Sequence, residues 1–400
     1  GHSHSTGHGT AAGELIMTWD DERRARAGLC AVCSPGDPWL RRALHDRSAV
    51  ELWDVISHSS EEDARTRRAH KLSVDRLMDT TEELGFEFLI PTDEQWPVSL
   101  GDLDFVDEHL GGPPVGLWTR GHADLANRVT NCVAIVGSRA ATSYGQDVAS
   151  ELAFDLARRS DIPDHTSWTI ISGGAFGVDV AAHRGALAAR GCTVSVQAGG
   201  LDQLYPRGNT AVLEHVACGG ALVSEVPPGA HPTKPGFLAR NRLIAAMSSG
   251  VVIVEAGTRS GALNTTMWAN ALMRPVMAIP GPVTSSMSAG THRLIRDNQA
   301  VLVRDADDVS AQIGPLQPEL PPVRSPQRQI DTLRSDLLAV HEALPASGGS
   351  WVDEIALDAG VAVSECLALL AELAELGMAQ RGADGTWSVV PPWQRGACGM

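Results

Sequence analysis

The chain has 400 residues, 43% of them hydrophobic and 20% charged, with a formal net charge of −16. That length asks for two or three domains of an ordinary soluble protein, and no run of about 18 apolar residues is present to span a membrane. Its seven cysteines are scattered; Cys30 and Cys33 form one C-x-x-C without the second pair that a zinc site requires, so reduced thiols and no metal are expected.

The excess negative charge lies in the flanks. Residues 1–130 hold 13 basic and 23 acidic side chains, residues 131–310 hold 14 of each, and residues 311–400 hold 5 and 11. A phosphate-binding face is therefore possible only in the middle, and only where cations are focused locally.

The opening GHSHSTGHGT reads as a tag or disordered leader over 1–17, with Met17 as the natural start and no apolar run to make a signal peptide. Residues 18–90 show apolar positions at three- and four-residue spacing among charges, which predicts a helical domain, SAM- or helix–hairpin–helix-like. A Pro-, Gly- and Asp-rich segment from 91 to about 130, with one or two short strands, leads into the next domain. At Cys132 the pattern changes to β-branched runs alternating with helices: CVAIVG, TIIS, TVSVQA, ALVSE, VVIVE and PVMAIP. Such alternation predicts an α/β, Rossmann-like, doubly wound parallel sheet through residue 310. Residues 311–328 are a Pro-rich linker. Three helical patterns and an ADG turn between short strands then predict a C-terminal winged helix over 329–392. Its recognition helix, 363–376, carries Glu365, Glu372 and Glu375 and no cation, which favours protein docking over DNA reading.

Four loops at the carboxyl ends of the predicted strands suit an anionic ligand. Gly137-Ser138-Arg139 turns tightly and offers a guanidinium to an anion held by the next helix. SGGAFGVD, with Gly173 and Gly174, suits close backbone approach to a phosphate; it lacks the dinucleotide spacing, and Asp179 and His183 read as tethers between helix and sheet. The run HPTKPGFLARNRL places Lys234, Arg240 and Arg242 around Phe237 and beside Asn241, with no acid in the run, as a backbone-tracking groove with a stacking residue requires. EAGTRSGALNTT offers Ser260, Gly261, Asn264 and Thr265 at a helix start, without the Gly-Lys-Ser/Thr of a P-loop. Arg139, Lys234, Arg240 and Arg242 are expected to line one pocket. No catalytic order of residues emerges, so the protein is read as a non-enzyme needing no cofactor.

These loops, with GLDQLYPRGN at 200–209, SEVPPG at 224–229 and AIPGP followed by GTHRLI, make the chain resemble the DprA/Smf family over about 133–304. Departures from the usual family pattern are Leu238 where proline stands in F-P-x-R-N-R, SVQAGGLD at one strand end, and Asn264 where isoleucine is common. The resemblance implies a cytoplasmic protein of natural transformation and recombination. Such proteins bind and protect incoming single-stranded DNA and load the RecA recombinase, generally as dimers of the Rossmann-like domain. It also implies that Arg139, Lys234 and the run Phe237, Arg240, Asn241 and Arg242 form the DNA-binding pocket. The alternative is a nucleotide-binding enzyme of the same superfamily, such as a phosphoribohydrolase. That reading is opposed by EAGTRSGALNT standing where such enzymes carry P-G-G-x-G-T-x-x-E. A dinucleotide-dependent oxidoreductase is opposed by the missing fingerprint.

Overall fold

The computed structural model describes residues 19–390, except 62, 108, 123, 159–166, 259, 315–329, 331–332 and 346–347. The leader, most of the Pro-rich linker and Arg259 thus lie outside the described residues. Two compact units are present, Gly1–Pro318 and Glu319–Met400.

The first unit opens with helices α1 (Asp21–Val32), α2 (Pro38–Asp46), α3 (Ala49–His58), α4 (Ala64–Ala69) and α5 (Val74–Glu83). Each starts where an Asp or Ser side chain accepts a backbone N–H: Asp20, Asp37, Ser48, Asp63 and Ser73. These caps satisfy the orphan donors of a first turn and fix where each short helix begins. Leu29, Leu52 and Ile56 from these helices pack in one cluster with Phe88, Trp118 and Leu213. The helical segment is therefore seated on the rest of the unit through a shared apolar core.

Nine strands form one sheet in the order β1-β2-β6-β5-β4-β3-β7-β8-β9. They are β1 (Glu87–Leu89), β2 (Leu117–Gly121), β3 (Cys132–Val136), β4 (Thr169–Ser172), β5 (Thr193–Gln197), β6 (Ala221–Ser224), β7 (Val251–Ile253), β8 (Val276–Ala278) and β9 (Val301–Leu302). From β6 through β9 every neighbour pair is parallel. Strands β1 and β2 extend the sheet antiparallel at the β6 edge, so the last residues of the segment read as helical supply an edge strand.

The crossovers are α6 (Leu125–Arg128), α7 (Ser143–Ala157), α8 (Val178–Ala188), α9 (Thr210–Gly219), α10 (Lys234–Ala246), α11 (Ala262–Ala271), α12 (Ala289–Arg296) and α13 (Ala306–Ile313). Alternation along β3 divides the core, since successive side chains face opposite sides. Ala134 and Val136 join Leu243 and Ala245 of α10 and Trp268 of α11. Val133 and Ile135 join Leu152 of α7, Ala182 of α8 and Val309 of α13. Helices cover both faces, and the continuous apolar runs read from the sequence follow from that double burial.

The second unit contains α14 (Ser335–Glu342), α15 (Val352–Ala359), α16 (Val363–Glu375) and an antiparallel pair, β10 (Ala379–Arg381) with β11 (Trp387–Val389). Leu337, Val340, Ile355, Leu370, Leu373 and Trp387 are buried together as its own core.

Candidate nucleic-acid interface

The chain runs outward from β3 through β4, β5 and β6, then returns to place β7 on the other side of β3. Loops leaving β3 and β7 diverge at that switch point and open a crevice at the carboxyl ends. A cavity of about 380 Å³ lies there, lined by Ser138, Arg139, Phe237, Arg240, Asn241 and Ser260, with Gly261 and Thr265 beside them. Three of the four loops singled out in the sequence meet in this cavity.

Phe237 is its centre. Arg139 places its guanidinium carbon 4.7 Å from the ring centroid and Arg240 places its own 5.8 Å away. The Tyr205 ring, 46% exposed, lies 5.6 Å from the Phe237 ring at 52°. Cations held against a ring lose little of their attraction for an anion, because the ring's quadrupole only partly offsets their charge. Arg139 is exposed, whereas Arg240 is buried.

Arg240 is fixed by carbonyls rather than by a close carboxylate. Its Nη1 donates to the carbonyls of Gly173 and Val196, and its Nη2 stands 3.8 Å from Asp179. Burial lowers its pKa to about 10, Asp179 opposing and Arg139 adding to the effect. It stays charged at neutral pH beside a second cation and one looser acid, an arrangement that favours an incoming anion.

The glycine-rich loop after β4 serves this arginine, which corrects the expectation of a phosphate cradle. A Cβ on Gly173 would fall 2.1 Å from the Arg240 Cζ, so only glycine leaves room for the guanidinium. Gly174 has φ +68° and faces Leu213, Gln197 and Ser195; neither glycine lines the cavity. The Gly173 and Ala175 N–H groups donate to Asp179, so they are not available to a ligand. Burial raises the Asp179 pKa, with Arg240 and these hydrogen bonds opposing it. His183 bonds Thr193 at 2.7 Å and has its pKa lowered to about 3, chiefly by burial; it ties α8 to β5.

The start of α7 is also occupied from within. Glu255, past the end of β7, accepts from the Thr142 N–H at 2.9 Å and its hydroxyl at 2.7 Å. A Cβ on Gly145 would collide with that carboxylate. The anion position of this helix N-terminus is filled by the protein's own glutamate, and Arg139 faces Phe237 instead of an α7-bound anion.

Arg242 is the main departure from the sequence reading. Its side chain is 1% exposed and pairs with Glu225 at 2.6 Å, on the loop after β6. It also lies against Gly36, in the turn between α1 and α2. Arg242 is a buried tie within the unit and lines no part of the cavity. Lys234 is exposed at the first position of α10, one turn before Phe237 and outside the lining. Asn241 reaches Asn264 at 3.2 Å and the Gly261 carbonyl at 3.5 Å, pinning α10 to the start of α11. Sequence reasoning passed over Tyr205, Glu225 and Glu255. An acid directly after an apolar strand was the available signal for both glutamates, because a carboxylate there needs donors from a neighbouring loop.

Fold and crevice define a Rossmann-like α/β protein whose switch-point pocket is cationic and aromatic. Residues 87–314 match the family described as DNA recombination-mediator protein A. The chain is 40% identical over 380 residues to the putative DNA processing protein DprA of Mycobacterium tuberculosis, covering 93% of this chain and 95% of that one. It is 33% identical over 213 residues to DprA of Bacillus subtilis, covering 53% and 69% respectively. The crystal structure of DprA from Streptococcus pneumoniae superposes with a TM-score of 0.60 at 28% identity, covering 74% of this chain and 99% of that one. The chain belongs to the DNA recombination-mediator protein A family, also called DprA or Smf.

Proposed function

We propose that this protein binds single-stranded DNA at the switch-point crevice and acts as a mediator of recombination in natural transformation. The observation that carries this reading is the convergence of Arg139 and Arg240 on the Phe237 ring. Two guanidiniums can hold successive phosphates while exposed aromatic surface accepts unstacked bases. Ser138, Ser260, Asn264 and Thr265 shape the pocket around them, and Lys234 extends the cationic track beyond it. Duplex DNA presents no free base faces, so single strands are preferred.

The enzyme reading is weaker for a positive reason. The one carboxylate lining the cavity, Asp179, is held by two backbone N–H groups and faces Arg240, which leaves no base poised for hydrolysis.

Membership of a recombination-mediator family supports three further readings: delivery of the bound strand to the RecA recombinase, a homodimer through the Rossmann-like unit, and a cytoplasmic site of action. Among the described residues no helix is long and apolar enough to cross a membrane.

The test is a titration of fluorescent oligo-dT against duplex DNA across a salt series. Single strands should bind more tightly, with log K falling about 0.7 per phosphate neutralised for each unit of log salt. Equal affinity for duplex, or a flat salt response, refutes the proposal.

A further inference from the structure

The C-terminal unit carries an apolar surface that its own core does not use. On α16 the buried side chains are Cys366, Leu369, Leu370 and Leu373. At about 100° per residue these four occupy an arc of about 100°. Val363, Leu367, Ala371 and Ala374 continue the apolar arc by about another 80–100°, and all four face solvent. Val363 is 48% and Leu367 49% exposed. A helix that served only its own core would end its apolar stripe at the buried edge. On the preceding helix, Leu357 is 82% exposed as well.

The charge around this surface selects its occupant. Residues 330–390 hold ten Asp and Glu, two arginines and no lysine. Arg334 pairs with Asp336 and Glu372, while among the described residues Glu365 and Glu375 have no ion-pair partner. Glu375 borders the open apolar stripe, at the carboxyl end of α16 where the helix dipole is also negative. Duplex or single-stranded DNA would be repelled by such a face, and a second copy would bring like charges together. We propose that the outward face of α16 docks a cationic amphipathic helix from another protein. An apolar stripe on that helix would lie over Val363, Leu367 and Ala371, with Lys or Arg beside it meeting Glu375.

The experiment uses the full chain and a fluorescein-labelled peptide of Leu, Ala and Lys. The peptide is roughly 18 residues long, enough to become helical on binding, with leucines at helical spacing. A scrambled peptide of the same composition keeps the charge and removes the stripe. The periodic peptide should bind at least about tenfold more tightly than the scrambled one, and L367E should lose at least about tenfold. L367E is the decisive variant because it adds negative charge: attraction to an acidic surface alone would strengthen binding. A second exposed change, A371E, should act in the same direction. Unchanged or stronger binding by both variants, equal binding of the two peptides, or no binding at all overturns the proposal. So does self-association in analytical ultracentrifugation that L367E abolishes, which would make a second copy the occupant.

Discussion

Replacing Arg242 and replacing Arg139 should produce opposite phenotypes, although both are arginines of the same family signature. Arg242→Ala removes a guanidinium whose side chain is 1% exposed and leaves Glu225, 9% exposed, without its cation. Breaking one side of a buried pair costs about 3–5 kcal/mol, because the remaining charge is stranded away from water. Urea denaturation should therefore show a large loss of stability, and R242M combined with E225Q should recover much of it, since no buried charge then remains. Arg139 is exposed and has no carboxylate partner among the described residues, so R139A should change stability by less than about 0.5 kcal/mol. It should weaken oligo-dT binding by about 1–3 kcal/mol, roughly 5- to 150-fold, as loss of a charge-assisted phosphate contact does. Fluorescence anisotropy on the refolded, monodisperse proteins reads the second quantity. Arg158, the exposed C-cap of α7, serves as the inert control; its neighbour Arg159 lies outside the described residues. If R242A keeps wild-type stability yet loses DNA binding, Arg242 contacts the ligand and the buried-tie assignment is wrong.

G173A should displace Arg240, since the new Cβ would sit 2.1 Å from its Cζ. DNA affinity should then fall about as far as in R240A, and the double variant should be no worse than either; additive losses in that cycle would separate the two residues. The depressed pKa of His183, about 3 in the folded chain, means that the unfolded chain binds more protons below about pH 6.5. Stability from this group is complete above that pH and declines as pH falls toward 3. H183Q should be less acid-sensitive than wild type over that window; the difference between the two is the measurement, because the raised pKa of Asp179 acts in the opposite sense. A chain ending at Gly314 should retain most of the oligo-dT affinity, as the acidic C-terminal unit adds no cation to the crevice. Loss of binding with the sheet unit still folded by circular dichroism would overturn that division of labour.

The order of strands and helices was legible because burial on both faces leaves uninterrupted β-branched runs such as CVAIV and TVSVQ. The N-terminal helices were legible from their spacing. That they share a core with Trp118 of β2 and Leu213 of α9 was not, since nothing local in a helix names the surface that covers its apolar face. Strand β1, three residues long, was lost for a similar reason. A short antiparallel edge strand has too few residues to display a period of two, and its pairing with β2 is decided by residues nearly thirty positions away.

The site was legible at the level of loops and misread at the level of side-chain direction. Arg240, Asn241 and Arg242 look like one cationic cluster in a line of text, yet consecutive positions on a helix point about 100° apart. On α10 they serve three different ends: Arg240 turns to Gly173 and the crevice, Asn241 to Asn264, and Arg242 to Glu225 and the Gly36 turn. Applying the helical period to the cations themselves would have excluded a pocket lined by both arginines. The rule that found the core also constrains the site. The same correction applies to the glycines. A Gly-Gly after a strand says that something must approach the backbone closely, but it does not say whether that is a ligand's phosphate or the protein's own guanidinium. Here it is Arg240, and the phosphate contact moves one step outward, onto the cation that the glycine admits.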